Sequence, residues 1–282
     1  MKFFQPKSEV YVWNDLPAEQ ALENTTHLGL CAHQDDLEIL AVHGIMQCFH
    51  QPGRGFTGVV VSNGAGSARD FDYADFTDEE MQDIRRVEQK KAAFVGEYAA
   101  QIMLDHPSGM VKDPQETKVV EDIVAILKKT RPEVVYTHNL CDKHDTHIGV
   151  VLRVIEALRR LTPEERPKQV IGCEVWRDLD WLPDHLKVVM DVTGHENVQA
   201  ALLGVFDSQI AGGKRYDLAA LGRRKAHATF SESHGVDKTE GLIYGMDLMP
   251  LVVDTTIEPA KYAESLLKAL IDDVSQRVSR LA

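Results

Sequence analysis

The sequence predicts an α/β fold, a three-layer sandwich in which a mostly parallel sheet lies between helices, with its chemistry at the carboxyl ends of the strands. Three observations carry this. Short apolar, β-branched runs alternate with longer amphipathic segments at least four times in the first 160 residues, the pattern of strand–helix–strand crossovers. Gly, Pro and capping residues punctuate that alternation where an element must stop. No internal repeat, low-complexity tract or long linker divides the 282 residues, so one domain spanning 1–282 is expected.

In chain order, "HLGLCAH" (27–33) reads as a short buried strand, and "LEILAVHGIMQCFHQ" (37–51) as a helix ended by Pro and Gly in "QPGRG". "FTGVVVSN" (56–63) is a β-branched strand. The helix 77–96 opens on Thr77 with Glu80 three residues on, a capping-box spacing, and Gly96 is its stop. "AAQIMLD" (99–105) is a strand. "PQETKVVEDIVAILKKT" (114–130) is an amphipathic helix with basic residues in its last turn, closed before Pro132. "EVVYTH" (133–138) is a strand and 144–161 a helix. Strands recur at 168–176 and 186–192, and helices at 195–210 and 259–281.

Composition narrows the function. Hydrophobic residues make up 44% and charged residues 27%, the profile of a water-soluble globular chain. A formal net charge of -13 argues against nucleic acid and anionic membranes as partners. No segment reaches the roughly 18–20 apolar residues that cross a bilayer, and the first fifteen residues lack a signal-peptide core. The cysteines Cys31, Cys48, Cys141 and Cys173 form no C-x-x-C pair. They read as reduced thiols of a cytoplasmic protein. The apolar stripe of the last helix can pack on the core or on another subunit, which leaves a homo-oligomer open.

The chemistry concentrates in two places. In "CAHQDDLE" (31–38) His33 falls at the end of the first strand, and Asp35 and Asp36 fall in the turn that starts the next helix. An Asp in that place is also a common helix cap, so this stretch alone does not decide. "THNLCDKHDTHIGV" (137–150) supplies a second group, again after a strand and before a helix, with His144 and His147 on one face of the first turn. Strand ends of a parallel sheet share one edge, where sites form. Three protein ligands and an open position are the expected shell of a catalytic zinc. His33, Asp36 and His147 would supply it. Asp35 then remains as general base and His144 as the group that stabilises an oxyanion, the equipment for amide hydrolysis. A closed structural shell would need a fourth ligand from Asp142 or Asp145.

"AHQDD" followed about a hundred residues later by "HDTH" resembles the PIG-L (LmbE-like) deacetylases, zinc-dependent enzymes that remove an acetyl group from N-acetylglucosaminyl substrates. The resemblance implies a Rossmann-like fold, His33, Asp36 and His147 as ligands of one zinc or another divalent ion, Asp35 as base and His144 as the oxyanion-stabilising histidine. It extends through "VVVSNGAG" (59–66), the spacing Arg85, Glu88, Ala92, Gly96, "SGM" (108–110), "DVT" (191–193) and "SQ" (208–209). It implies a small-molecule N-acetylated sugar conjugate as partner, with Arg85 as a hydrogen-bond donor to it. Pro107 stands where many members have an acid that binds sugar hydroxyls, and Asp105 is the candidate substitute. Gln34 and Leu37 also depart from the family pattern, as do Asp145 and Thr146. Other signals are weaker. "NGAGSAR" (63–69) fails as a dinucleotide loop because no helix follows. "GHENV" (194–198) has Val198 where H-E-x-x-H has its second His. Trp176 and Trp181 fit either a sugar-stacking rim or a buried contact.

Overall fold

The computed structural model describes all 282 residues. Eight strands form one sheet: β1 (Glu9–Tyr11), β2 (His27–Cys31), β3 (Phe56–Ser62), β4 (Ala100–His106), β5 (Val134–His138), β6 (Gln169–Cys173), β7 (Lys187–Asp191) and β8 (Leu242–Asp247). Their spatial order is β1-β4-β3-β2-β5-β6-β8-β7. The run β4-β3-β2-β5-β6 is parallel. β1 is antiparallel to β4, and β8 is antiparallel to both β6 and β7.

The central strands are buried throughout, because helices cover both faces. The helices are α1 (Ala18–Glu23), α2 (Asp36–Leu40), α3 (Val42–Cys48), α4 (Asp78–Val95), α5 (Ser108–Lys112), α6 (Lys118–Thr130), α7 (Asp145–Arg159), α8 (Glu196–Gly204), α9 (Asp207–Ile210), α10 (Tyr216–Phe230), α11 (Met249–Val253) and α12 (Pro259–Leu281). One core unites Leu28 and Leu30 of β2 with Ile123 of α6, Val151 and Val154 of α7 and Leu251 of α11. The other packs Leu37, Leu40 and Ile45 against Ala92 of α4 and Leu202 of α8. The capping box at Thr77 and Glu80 is formed as the spacing predicts, and Gly96 caps the end of α4.

This topology fixes where a site can lie. From β2 the chain builds outward through β3 and β4, then crosses back to place β5 on the other side of β2. β2 leads into α2 on one face, and β5 leads into α7 on the opposite face. The two strands pair from His27↔Val134 to Gly29↔Tyr136 and no further. Beyond that point they diverge, and a crevice opens at the switch point of the sheet.

Several boundaries differ from the sequence reading. β2 stops at Cys31, because the chain must turn before Asp35. The helix expected at 37–51 breaks at Ala41 into α2 and α3, and the one expected at 195–210 breaks into α8 and α9. Six elements, β1, α1, α5, α10, β8 and α11, were not legible in the pattern. The last helix packs on the core through Leu266 and Tyr262, while Leu267, Ile271, Val274, Val278 and Leu281 of the same helix are exposed. No helix is long and apolar enough to cross a membrane. The four cysteines are free; Cys31, Cys48 and Cys173 are buried, and Cys141 is half-buried.

Candidate metal centre and active site

The two motifs meet in the crevice. His33 Nδ1 lies 3.2 Å from His147 Nε2 and 3.3 Å from Asp36 Oδ2. His147 Nε2 is 3.3 Å from the same carboxylate oxygen. Three donor atoms thus form a nearly equilateral triangle. An ion bonded tetrahedrally at about 2.0–2.1 Å has ligand–ligand edges of roughly 3.3–3.4 Å, so this donor set fits a metal without rearrangement. Burial pushes the Asp36 carboxyl up, but the His147, His33 and His138 side chains around it outweigh that and hold it well below the usual carboxylate range.

A residue absent from the sequence reading stands beneath the triangle. His138, the last residue of β5, is fully buried and stacks on His147 with ring centres 3.8 Å apart. Its Nε2 lies 3.5 Å from Asp36 Oδ2, so Asp36, His138 and His147 also group their donor atoms, as do His33, His144 and His147. That nitrogen, however, already accepts the Ala32 backbone N–H at 2.9 Å. Its lone pair is spent on the amide that the diverging strands leave unpaired. Burial keeps His138 neutral by driving its pKa far down. That leaves His33, Asp36 and His147 as a donor set with no nitrogen committed to a backbone amide, whereas His144 Nδ1 accepts the Thr146 amide.

Asp35 faces the other way. It occupies the first position before α2 with φ 86°, a left-handed conformation uncommon outside glycine, and its side chain caps nothing. Capping thus does not account for it. Its Oδ2 accepts a hydrogen bond from Arg85 Nη2 at 2.9 Å. Arg85, 1% exposed, also donates to the Gln34 carbonyl and, at 3.2 Å, to Glu88 Oε2. Glu88 in turn accepts from the Ser208 amide and hydroxyl, both at 2.7 Å. The weak sequence markers Arg85, Glu88 and Ser208 are one buried chain of charge-assisted bonds that ends on Asp35. Burial pushes the Asp35 carboxyl up to about 6, against the opposing pull of Arg85.

His144 precedes α7, and its Nδ1 accepts the Thr146 amide at 3.3 Å. In the neutral ring that assigns the proton to Nε2. Burial, with the charges of His147 and His33, lowers its pKa and favours that neutral form. Asp142 organises the same loop. It accepts from the His144 amide at 3.0 Å and the Trp176 amide at 3.2 Å, and its Oδ2 lies 3.5 Å from His147 Nδ1. A carboxylate behind a ligand histidine is the usual way its tautomer and direction are set.

A cavity of about 720 Å³ opens above these groups. His33, Asp35, Asp36, Arg85 and His144 line its floor, Ser62–Ala68 and Pro107–Gly109 one side, and Trp176, Lys214, Tyr216 and Arg223 the other. Gly64 in the first side has φ +74, and a Cβ there would meet Gln34 Oε1 at 2.5 Å. Asp105, read from the sequence as a substrate contact, is placed elsewhere. Its carboxylate is engaged by Arg86, and it does not line the cavity. Arg86 also approaches Glu9 of β1, at 3.9 Å, so the pair sits beside that edge strand. Trp181 packs against the main core instead of the rim. His43 bonds Tyr136, His50 pairs with Glu97, and His227 stacks on Tyr244, so none of these belongs to the centre.

The profile of one family, PIG-L, described as GlcNAc-PI de-N-acetylase, matches residues 28–158. The match spans 131 of the 282 residues, a little under half of the chain. The matched segment runs from β2 to the end of α7 and holds both metal motifs. No curated protein matches the chain in sequence. Solved structures that share the fold include the following three. The N,N'-diacetylchitobiose deacetylase of Pyrococcus horikoshii is 18% identical over 78% of this chain and 83% of its own, with a TM-score of 0.59. The 4-carboxy-2-hydroxymuconate hydratase of Pseudomonas putida is 16% identical over 79% and 96%, at 0.58. A deacetylase of teicoplanin biosynthesis is 16% identical over 79% and 98%, at 0.57. A hydratase and two deacetylases on one fold mean that the fold does not choose the reaction; the site must.

Proposed function

We propose that this protein is a metal-dependent N-deacetylase that removes an acetyl group from an amino-sugar conjugate. One observation carries the reading. His33, Asp36 and His147 converge within 3.3 Å of one another, while the adjacent Asp35 is turned away from them and held by Arg85.

The donor set of two imidazoles and a carboxylate suits zinc, with other divalent ions as alternatives. When bound, such an ion polarises an acyl oxygen and acidifies water at neutral pH. Around it the chain's own residues divide the work. Asp35 takes a proton from the attacking water and returns it to the departing amine. Arg85, fixed by Glu88, keeps the Asp35 carboxylate in one orientation and in its basic form. Nε2–H of His144 donates to the acyl oxygen as negative charge gathers on it. The products are acetate and a free amino sugar. Arg85 thus positions the base from below and does not touch the sugar.

The test is acetate release from a panel of N-acetylglucosamine conjugates by zinc-loaded protein. Asp35→Asn is expected to retain its metal and lose roughly 10²–10⁴-fold in turnover. Phosphate release, water addition to a double bond, or an Asp35→Asn variant as active as the parent would each reject the proposal.

A further inference from the structure

We propose that the Trp176 wall of the cavity is a subsite for an anionic group, a carboxylate or a phosphate, carried by the part of the substrate beyond its N-acetylated sugar. The inference rests on the deacetylase reading above and narrows it to a substrate class.

The charges of the lining are the starting point. Outside the floor, the cavity presents Lys112, Lys214 and Arg223 and no carboxylate at all. The only acids that reach it are Asp35 and Asp36, one held by Arg85 and the other by the histidines. This occurs in a chain with 44 acidic against 31 basic residues. The neighbours of these cations in sequence are paired: Arg215 with Asp217, and Lys225 with Glu196. Lys214 and Arg223 stand beside them unpaired and turned to the cavity.

Two of the three cations are already organised on one wall. Lys214 Nζ lies over the Trp176 ring, 5.1 Å from its centre. Arg223 donates one Nη1–H bond to the Val175 carbonyl at 2.8 Å, which anchors the guanidinium and leaves its other donors free. Lys214 and Arg223 therefore bracket the consecutive residues Val175 and Trp176. Tyr216 closes the wall, its ring edge-on to Trp176 at 5.9 Å and 80°. A guanidinium with free parallel donors beside an ammonium held by an aromatic face matches the oxygens of a carboxylate or phosphate. Both cations lie beyond residue 158, outside the PIG-L segment, so the family pattern does not assign them.

The experiment measures binding by calorimetry on zinc-loaded Asp35→Asn protein, which blocks turnover. The probes are N-acetylglucosamine 1-phosphate, a carboxymethyl N-acetylglucosaminide and the uncharged methyl N-acetylglucosaminide. The expected result is roughly tenfold or tighter binding of one anionic probe over the methyl glycoside, with the advantage shrinking in high salt. The ranking of the two anions identifies which group the wall reads. Lys214→Gln alone should lose part of the advantage, and Lys214→Gln with Arg223→Gln nearly all of it, at an unchanged affinity for the methyl glycoside. Equal binding of all three probes, or an advantage that survives both substitutions, overturns the subsite. If the unsubstituted enzyme releases acetate from none of the probes while the anion preference still follows Lys214 and Arg223, the deacetylase reading falls and the subsite stands.

Discussion

The stretch from β2 to α7 and the stretch from β6 onward meet across one cavity but are built on different terms. The first is parallel, doubly wound and buried, and each reactive side chain sits within a few residues of a strand end. The second adds an antiparallel edge, β8 with β7, and the cationic aromatic wall. His33, Asp35, Asp36, His144 and His147 all come from the first, while Trp176, Lys214, Tyr216 and Arg223 come from the second. The contrast teaches a division of labour: short-range sequence holds the candidate reactive groups, and long-range packing shapes the cavity above them.

The substitution with the largest effect should test the first region alone. His33→Ala or His147→Ala is expected to lose the bound metal and, with it, roughly 10³-fold or more of any hydrolysis, for every substrate alike. Metal analysis beside acetate release would read this. A variant that lost one substrate and kept another would break the division just described.

A second measurement concerns Glu174, which follows β6 and is 2% exposed. Its carboxylate accepts the Leu179 and Tyr244 amides, yet burial pushes its pKa up to about 7. The folded chain therefore holds a proton that the unfolded chain, with a pKa of 4.5, releases. The stability this contributes is fully present below about pH 4.5 and is lost as pH rises through about 7, a loss on the order of 3 kcal/mol. Denaturant unfolding of Glu174→Gln across that window should be flatter than that of the parent by this slope. Parallel curves would show that the second region does not store that strain.

His138 sits on the seam between the regions. His138→Phe keeps the stack on His147 but leaves the Ala32 amide without its acceptor. Metal affinity, read by chelator competition, should fall about 10–100-fold. An unchanged affinity would mean that His138 only fills space. At the small end, Ile271→Asp replaces a residue that is 63% exposed on α12. Thermal unfolding of the protomer should move by no more than about 0.5 kcal/mol, since the core contacts of that helix are made by Leu266 and Tyr262 instead.

What could be read from the chain follows the same division. β2 with the histidine and aspartates that follow it, and β5 with His144 and His147 after it, are contiguous runs whose spacing carries both the element and the candidate groups. The helix at 77–96 was legible because its cap, its stop and its motif residues are all local. His138 was hidden because a His at the end of an apolar strand looks like the strand's last residue, and its partner amide lies 106 positions away. Arg85 was legible as a candidate site residue, but its hold on Asp35 was not, since only the fold brings Glu88 and Ser208 behind it. Lys214 and Arg223 look like ordinary surface cations until packing sets them on one wall. Asp105 lies off the cavity for a similar reason: only packing brings Arg86 onto its carboxylate.

The diverging ends of β2 and β5 have a thermodynamic consequence. An ion gripped by His33 and Asp36 on one side and His147 on the other would span the place where the sheet has no hydrogen bonds of its own. Whatever binds there and not to the unfolded chain adds to the free energy of unfolding in proportion to the logarithm of its concentration. Nutrient supply of the cation would then set heat resistance as well as turnover, and a chelator would soften the middle of the molecule before it touched either edge.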